Sequence, residues 1–296
     1  MDLLIARIVD GLNNGVIYGF LALALVCVYR GTKHLNLAQG EMAMFSAFIA
    51  YALYAVGLPV PVAVLGTVLV GFLAGGLVER VLIRPLGHHA DYSILLVTIG
   101  LFLVLNAGAG VIWGGDPLPF PALVPSSPED YIAFFGTRLR YQPLLVLGVL
   151  IVVMTALFVL FKYTRLGLAM RATASNPESA RLLGIRVNRI NSLGWMLAAG
   201  VGALVGALIA PSTTLTTGMM FNFLIYAAAA ATLGGFDSPG GAVLAGILLG
   251  IAENIIGSYV WFVGTDLKQA VALVILLAVL MIRPTGMFGT KKVERV

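Results

Sequence analysis

The sequence predicts an all-α polytopic membrane protein, a bundle of about eight to nine transmembrane helices with one short cytoplasmic helix. Three observations carry the prediction. Of 296 residues, 60% are hydrophobic and only 10% charged, with a mean hydropathy of +1.00, outside the range of soluble domains. Apolar runs of membrane length recur along the whole chain. A short basic island interrupts two of the longest, as a cytoplasmic loop does under the positive-inside rule.

In order, the apolar runs fall at roughly 11–29, 37–56, 60–79, 92–113, 141–161, 190–210, 219–236, 240–258 and 267–283. The seventh and eighth are short and closely spaced, so they are read as full crossings or as a broken, re-entrant pair. Thirty-five glycines suit tightly packed membrane helices, and Gly71–Gly75, Gly202–Gly206 and Gly246–Gly250 have small-xxx-small spacing. The N-terminus does not read as a cleavable signal, because Asp2 and Asp10 break the expected basic region. The chain therefore reads as a single transmembrane domain over 1–296.

The basic island occupies 162–189, with Lys162, Arg165, Arg171, Arg181, Arg186 and Arg189 against one acid, Glu178. Placing it inside puts 14 of the 18 Lys and Arg residues in the cytoplasm, leaving Arg7, Arg138, Arg140 and Lys268 outside. The N-terminus is then periplasmic and the C-terminus cytoplasmic. Inside the island, Ser175 and Glu178 have capping-box spacing, with Asn176 between Ser175 and Pro177, and Pro177 in the first turn. Gly184 is placed to end the helix in a left-handed conformation. Ala180, Leu182, Leu183 and Ile185 give this element an apolar side. A helix this short is marginal alone in water, so it either lies on its own bundle or on lipid headgroups, or docks a cytosolic partner. On the other side, the 114–140 segment carries Pro117, Pro119, Pro121, Pro125 and Pro128, which favours an extended, semi-rigid periplasmic loop.

Polar residues at membrane depth are few: Asn36, Gln39 and Glu41 open the second run, with Asn106 in the fourth, Asn222 in the seventh and Glu253–Asn254 in the eighth. Ionisable groups there face protein or a water-filled path, so these seven are the candidates for a translocation path. Glu41 also has a structural explanation at a helix N-terminus, and Glu253 has one in an interhelical hydrogen bond. A faint internal echo joins the two ends of the chain. Tyr18 and Tyr226 each precede a polar turn and a helix restart, at Gln39-Gly40-Glu41 and at Pro239-Gly240-Gly241, the kind of repeat that transporters carry.

Several function classes lack their parts. No Gly-x4-Gly-Lys-Ser/Thr phosphate loop, HExxH or GxSxG occurs, which disfavours nucleotide hydrolysis or proteolysis by this chain. Cys27 is the single cysteine, and His88 and His89 read as solvated loop residues, so neither a disulfide framework nor a metal site is expected. The net charge of +5 reflects membrane topology rather than nucleic-acid binding. No run holds several acids, as a proton relay needs.

The stretch RLGLAMRATASNPESARLLGIRV (Arg165–Val187) resembles the cytoplasmic loop of ABC-transporter permeases of the branched-chain amino acid (LivH) type. LNLAQGEMAM (Leu35–Met44), ERVLIRPL (Glu79–Leu86), LLVTIGLFLVL (Leu95–Leu105), ATLGGFDSPGGAVLAGILLGIAEN (Ala231–Asn254) and IRPTGMFG (Ile282–Gly289) are similar to further segments of that family, in order. Leu37 stands where the family usually has Phe. The resemblance implies a permease subunit of an ATP-driven importer in a bacterial inner membrane. Its substrates would be Leu, Ile and Val or a related small amino acid or amide. It implies that 175–185 couples to one of two cytosolic ATPase subunits, which bind the ATP, so the chain needs no cofactor. A second, LivM-like permease and a periplasmic solute-binding protein complete the implied assembly. The alternatives are a permease of the same family for urea or short amides, and, from a different class, an ion-coupled secondary transporter or channel.

Overall fold

The computed structural model describes residues 2–86, 91–127, 129–134, 137–260, 267–283 and 286–289. His88, His89, Pro128 and the tail from 290 lie outside the described residues. Each of the nine apolar runs is a helix: α1 (Asp2–Thr32), α2 (Gln39–Ala55), α3 (Val60–Val78), α4 (Asp91–Trp113), α5 (Tyr141–Tyr163), α8 (Val187–Thr213), α9 (Phe221–Gly234), α10 (Pro239–Tyr259) and α11 (Lys268–Ile282). The basic island supplies the other two, α6 (Arg165–Ser175) and α7 (Pro177–Leu182). Among the described residues, six helical stretches are long and apolar enough to cross a membrane: Leu3–Thr32, Val60–Leu86, Tyr92–Trp113, Tyr141–Tyr163, Val187–Thr213 and Pro239–Tyr259. The others are shorter, and α9, at 14 residues, spans about 21 Å against a hydrocarbon core of about 30 Å.

Burial separates central helices from peripheral ones. In the most apolar windows of α1 and α8, 78% of residues are buried, against 17% for α4 and 22% for α5. One apolar core runs from Phe20 and Leu23 on α1 through Met44 and Phe48 on α2 to Trp195 and Leu208 on α8. The exposed apolar residues of α3, α4 and α5, such as Leu69, Val104 and Val152, form the surface a bilayer covers.

Close packing at the centre depends on missing side chains. A Cβ at Gly15, Gly246 or Gly250 would run into the backbone of the facing helix, α10 or α1. At Gly71 and Gly75 it would meet α8, and at Gly206 the backbone of Ala43. All three small-xxx-small pairs therefore lie at helix contacts, where the backbones gain dispersion and weak C–H···O contacts that any larger residue would prevent.

Three local structures depart from the sequence reading. The 165–175 stretch, read as loop, is helix α6, started by Thr164, whose Oγ1 accepts from Gly167 N at 3.1 Å. Ser175 is not the cap of the next helix; it is the last residue of α6. Asn176 caps α7, its Oδ1 accepting from Ser179 N at 2.9 Å. Pro177 explains the shift: proline prefers the first helical position and pushes the residue before it into extended backbone. Asn176 takes that conformation, with φ −151° and ψ 101°. The third departure is on the opposite side, where β1 (Tyr131–Phe134) and β2 (Thr137–Arg140) pair antiparallel. Leu118 and Leu215 also exchange two backbone hydrogen bonds at 3.0 Å, so this loop is tied down over the α8–α9 link.

Candidate functional site

At one end of the bundle, the basic island builds a rigid tip. α7 ends in a Schellman motif: Gly184 N donates to Arg181 O at 2.9 Å, and Ile185 N to Ala180 O at 3.0 Å. Gly184 has φ +80°, the left-handed value that glycine takes without strain. Ala180 is buried and Ile185 packs on the core, whereas Leu182 is 90% and Leu183 79% exposed. The apolar side foreseen for this helix is thus divided, half holding it to the bundle and half facing outward. Glu178 lies in the first turn, where its charge suits the helix dipole, and Arg181 is exposed.

Polar joints anchor this end. Lys33 Nζ meets Asp237 Oδ1 at 2.6 Å, joining the end of α1 to the α9–α10 turn. Glu79 is buried and takes Arg84 Nη2 at 2.7 Å and the Ser192 hydroxyl, fixing a π-helical turn (Glu79–Ile83) at the end of α3 to α8. A cavity of about 330 Å³ lies beside α7, lined among others by Lys33, Arg84, Thr173, Arg181, Asn191 and Trp195. Thr173 Oγ1, Asn191 Oδ1 and Trp195 Nε1 are buried there without a protein partner, as in a polar space with room for water.

The membrane-depth candidates fall into separate places. Asn36 and Gln39 form a packed knot: Asn36 Nδ2 donates to Gln39 Oε1 at 3.1 Å, and Gln39 Nε2 to Ala198 O at 3.0 Å. Both are fully buried, and they pin the α1–α2 turn to α8. Glu41, also buried, accepts from Asn106 Nδ2 at 3.2 Å, and Asn106 donates to Thr217 O at 2.9 Å. Asn254 turns back to Gly250 O on its own helix at 3.1 Å.

Asn222 and Glu253 line a common cavity of about 440 Å³ between α1, α9, α10 and α11. Tyr18 donates to Glu253 Oε2 at 2.9 Å. The Tyr18 and Tyr226 rings stack with centroids 4.4 Å apart and planes 10° from parallel. Gln269 Nε2 donates to Asn222 Oδ1 at 2.8 Å, and Lys268 lines the same space. The two echo tyrosines therefore meet, a contact the sequence reading did not assign to the site. It also missed Lys268 and Gln269, although Lys268 is the one basic residue between Arg189 and Arg283.

Such an architecture defines a multi-pass membrane protein with a polar internal cavity and a rigid tip at one end. Residues 7–280 match the family model for the branched-chain amino acid transport system permease component, and the chain belongs to that family. BraD of Pseudomonas aeruginosa, a high-affinity branched-chain amino acid transport system permease protein, is 31% identical, covering 98% of this chain and 97% of its own. LivH of Salmonella typhimurium, with the same description, is 28% identical over 97% of this chain and 96% of its own. Among solved structures, PsaBC from Streptococcus pneumoniae has a similar fold, with a TM-score of 0.50 and 15% identity, covering 93% of this chain and 91% of that one.

Proposed function

We infer that this chain is the transmembrane permease subunit of an ATP-driven importer that carries branched-chain amino acids across a bacterial inner membrane. It acts as one transmembrane domain, with the N-terminus periplasmic and the C-terminus cytoplasmic. All nine apolar helices enter the bilayer, α9 being the short one. The chain hydrolyses nothing itself. Two cytosolic ATPase subunits bind the ATP, a second LivM-like permease completes the path, and a periplasmic binding protein delivers the solute.

The observation that carries this reading, beside family membership, is the tip at Leu182 and Leu183. Two large apolar side chains stand exposed on a helix whose start, end and inner face are all fixed. Exposed apolar groups on a rigid element mark a contact surface. A moving ATPase needs such a handle, because closure at one end of the bundle can then be transmitted as displacement at the other. The contact comprises Ser175–Ile185, with Asn176, Pro177 and Gly184 holding its shape. Within the bundle, Asn222 and Glu253 belong to the translocation path and the Glu41–Asn106 pair flanks it, whereas Asn36, Gln39 and Asn254 fix helix packing.

The test is ATP-driven leucine uptake by the whole reconstituted assembly with its binding protein. Leu182→Ser with Leu183→Ser is expected to reduce uptake to background while the chain remains inserted. Undiminished uptake by that double variant overturns the coupling role. Uptake by this chain alone on an ion gradient overturns the importer reading altogether.

A further inference from the structure

The place of the Tyr18–Glu253 cavity in the bundle restricts how a solute reaches it. α9 starts at the cavity, with Asn222 and Tyr226 among its lining, and runs to Gly234 beside the Asp237 turn that Lys33 clamps. Lys33 in turn lines the space next to α7. The cavity therefore lies toward the end of the bundle opposite the coupling tip. On the tip side of the stacked tyrosines, Ala229, Leu233, Ala245 and Leu249 are buried and packed together with them. The cavity is a vestibule whose floor is the Tyr18–Tyr226 stack.

Its lining has the chemistry of a particular solute. Glu253 and Lys268 face the same space, yet among the described residues they do not close on each other as an ion pair. Tyr18 donates to the Glu253 carboxylate and Tyr226 bonds to it as well, which leaves acceptor positions open, since a carboxylate has about four. Lys268 brings three donors and no acceptor. One acid and one base held apart across a cavity of about 440 Å³ match a molecule that carries one ammonium and one carboxylate. A urea or a simple amide can hydrogen-bond to both groups but brings no charge to offset the desolvation of either, so its bonds there are the weaker ones. Met219 and Phe223 also line the cavity, and Met adapts its shape to different aliphatic groups. The faces of the tyrosines add attraction for a cation beside Glu253.

We propose that this vestibule is a binding site of the permease itself for a zwitterionic α-amino acid, with Glu253 taking the ammonium, Lys268 the carboxylate, and the Tyr18–Tyr226 stack forming the closed gate beneath. The proposal rests on the reading of the chain as an amino-acid permease subunit. It adds that the permease, and not only a binding protein, distinguishes amino acids from neutral solutes.

The experiment is saturation-transfer NMR on the assembled transporter in nanodiscs, without binding protein, using leucine, leucinamide and 4-methylpentanoate. Wild type is expected to prefer leucine over both analogues. Glu253→Gln and Lys268→Met are each expected to weaken leucine about tenfold or more, the loss typical of a charge-assisted hydrogen bond. The ranking is also expected to change. Lys268→Met binds leucinamide as well as leucine, Glu253→Gln binds 4-methylpentanoate as well as leucine, and Lys268→Arg retains the wild-type order. Unchanged leucine binding in both variants, or an equal loss of all three ligands, overturns the proposal. So does an absence of leucine signal from a wild-type assembly that still performs ATP-driven leucine uptake with its binding protein. A wild-type assembly that fails in that uptake contradicts the importer reading instead.

Discussion

Tyr18 and Tyr226, one near the middle of α1 and the other near the middle of α9, stack face to face with centroids 4.4 Å apart. The Tyr18 hydroxyl reaches on to Glu253 at 2.9 Å. Three helices are thus joined by an aromatic pair and a tyrosine hydrogen bond to a buried carboxyl group. Tyr18→Phe keeps the stack and removes the bond, so it is expected to destabilise the protein by about 0.6 kcal/mol and at most about 1.7, the range for interhelical hydrogen bonds in membranes. Tyr18→Ala removes the stack as well and adds about 0.5–1.5 kcal/mol. Thermal unfolding of the detergent-solubilised assembly measures both. If Tyr18→Phe is as damaging as Tyr18→Ala, the hydroxyl and not the ring pair fixes this contact.

The start of α7 gives a second prediction. Asn176→Ala removes the side chain that caps Ser179 N and is expected to cost about 1 kcal/mol of local stability. Ser175→Ala should change little, because Ser175 makes the last turn of α6. Hydrogen exchange over Ser179–Leu183 separates them: faster exchange in Asn176→Ala alone supports the assigned cap, and the reverse pattern restores the capping box.

How much of this was legible in the sequence depends on the range of the interaction. Apolar runs are local, so nine of them could be read directly, and all nine are helices. Gly184 was legible for the same reason, since its chain position after Leu183 fixes its role. The cap was misplaced by one residue because Ser175 and Asn176 are both good caps, and only Pro177 decides between them. α6 was passed over because its charge outweighed its helical periodicity, although Thr164 stood before it as a cap. The Tyr18–Tyr226 contact lay beyond sequence reasoning in another way. The echo placed both residues in similar settings, but only the packing of α1 along α10, made possible by Gly15, Gly246 and Gly250, brings α9 beside α1.

That packing is itself testable. A Cβ at Gly250 would strike the backbone of Gly11 and Gly15, which no rotamer change relieves. Gly250→Val is therefore expected to separate α1 from α10 and to prevent a stable assembly, an overpacking cost above the usual 1–3 kcal/mol for a core site. Gly148→Val should be tolerated, because nothing lies within 4 Å of the added Cβ. Size-exclusion profiles of the two variants provide the comparison, and a monodisperse Gly250→Val protein would show that the interface can relax.

The tip tests whether coupling requires shape as well as contact. Gly184 has φ +80° and nothing within 4 Å of an added Cβ, so a substitution there acts through the backbone alone. A β-branched residue is expected to cost about 1–2 kcal/mol and to unwind the Schellman turn, turning Leu182 and Leu183 away from their positions. Asparagine tolerates the left-handed region better, so Gly184→Asn should retain most ATP-driven uptake and Gly184→Val should lose most of it. The added Cβ has open space in either variant, so the contrast rests on how well each residue adopts the left-handed backbone. Equal uptake by the two would show that exposed leucines suffice for docking whatever the end of α7 does. A loss in Gly184→Val that is reversed by a stabilising substitution on the outer face of α7 would show instead that the helix must be formed before the ATPase can move it.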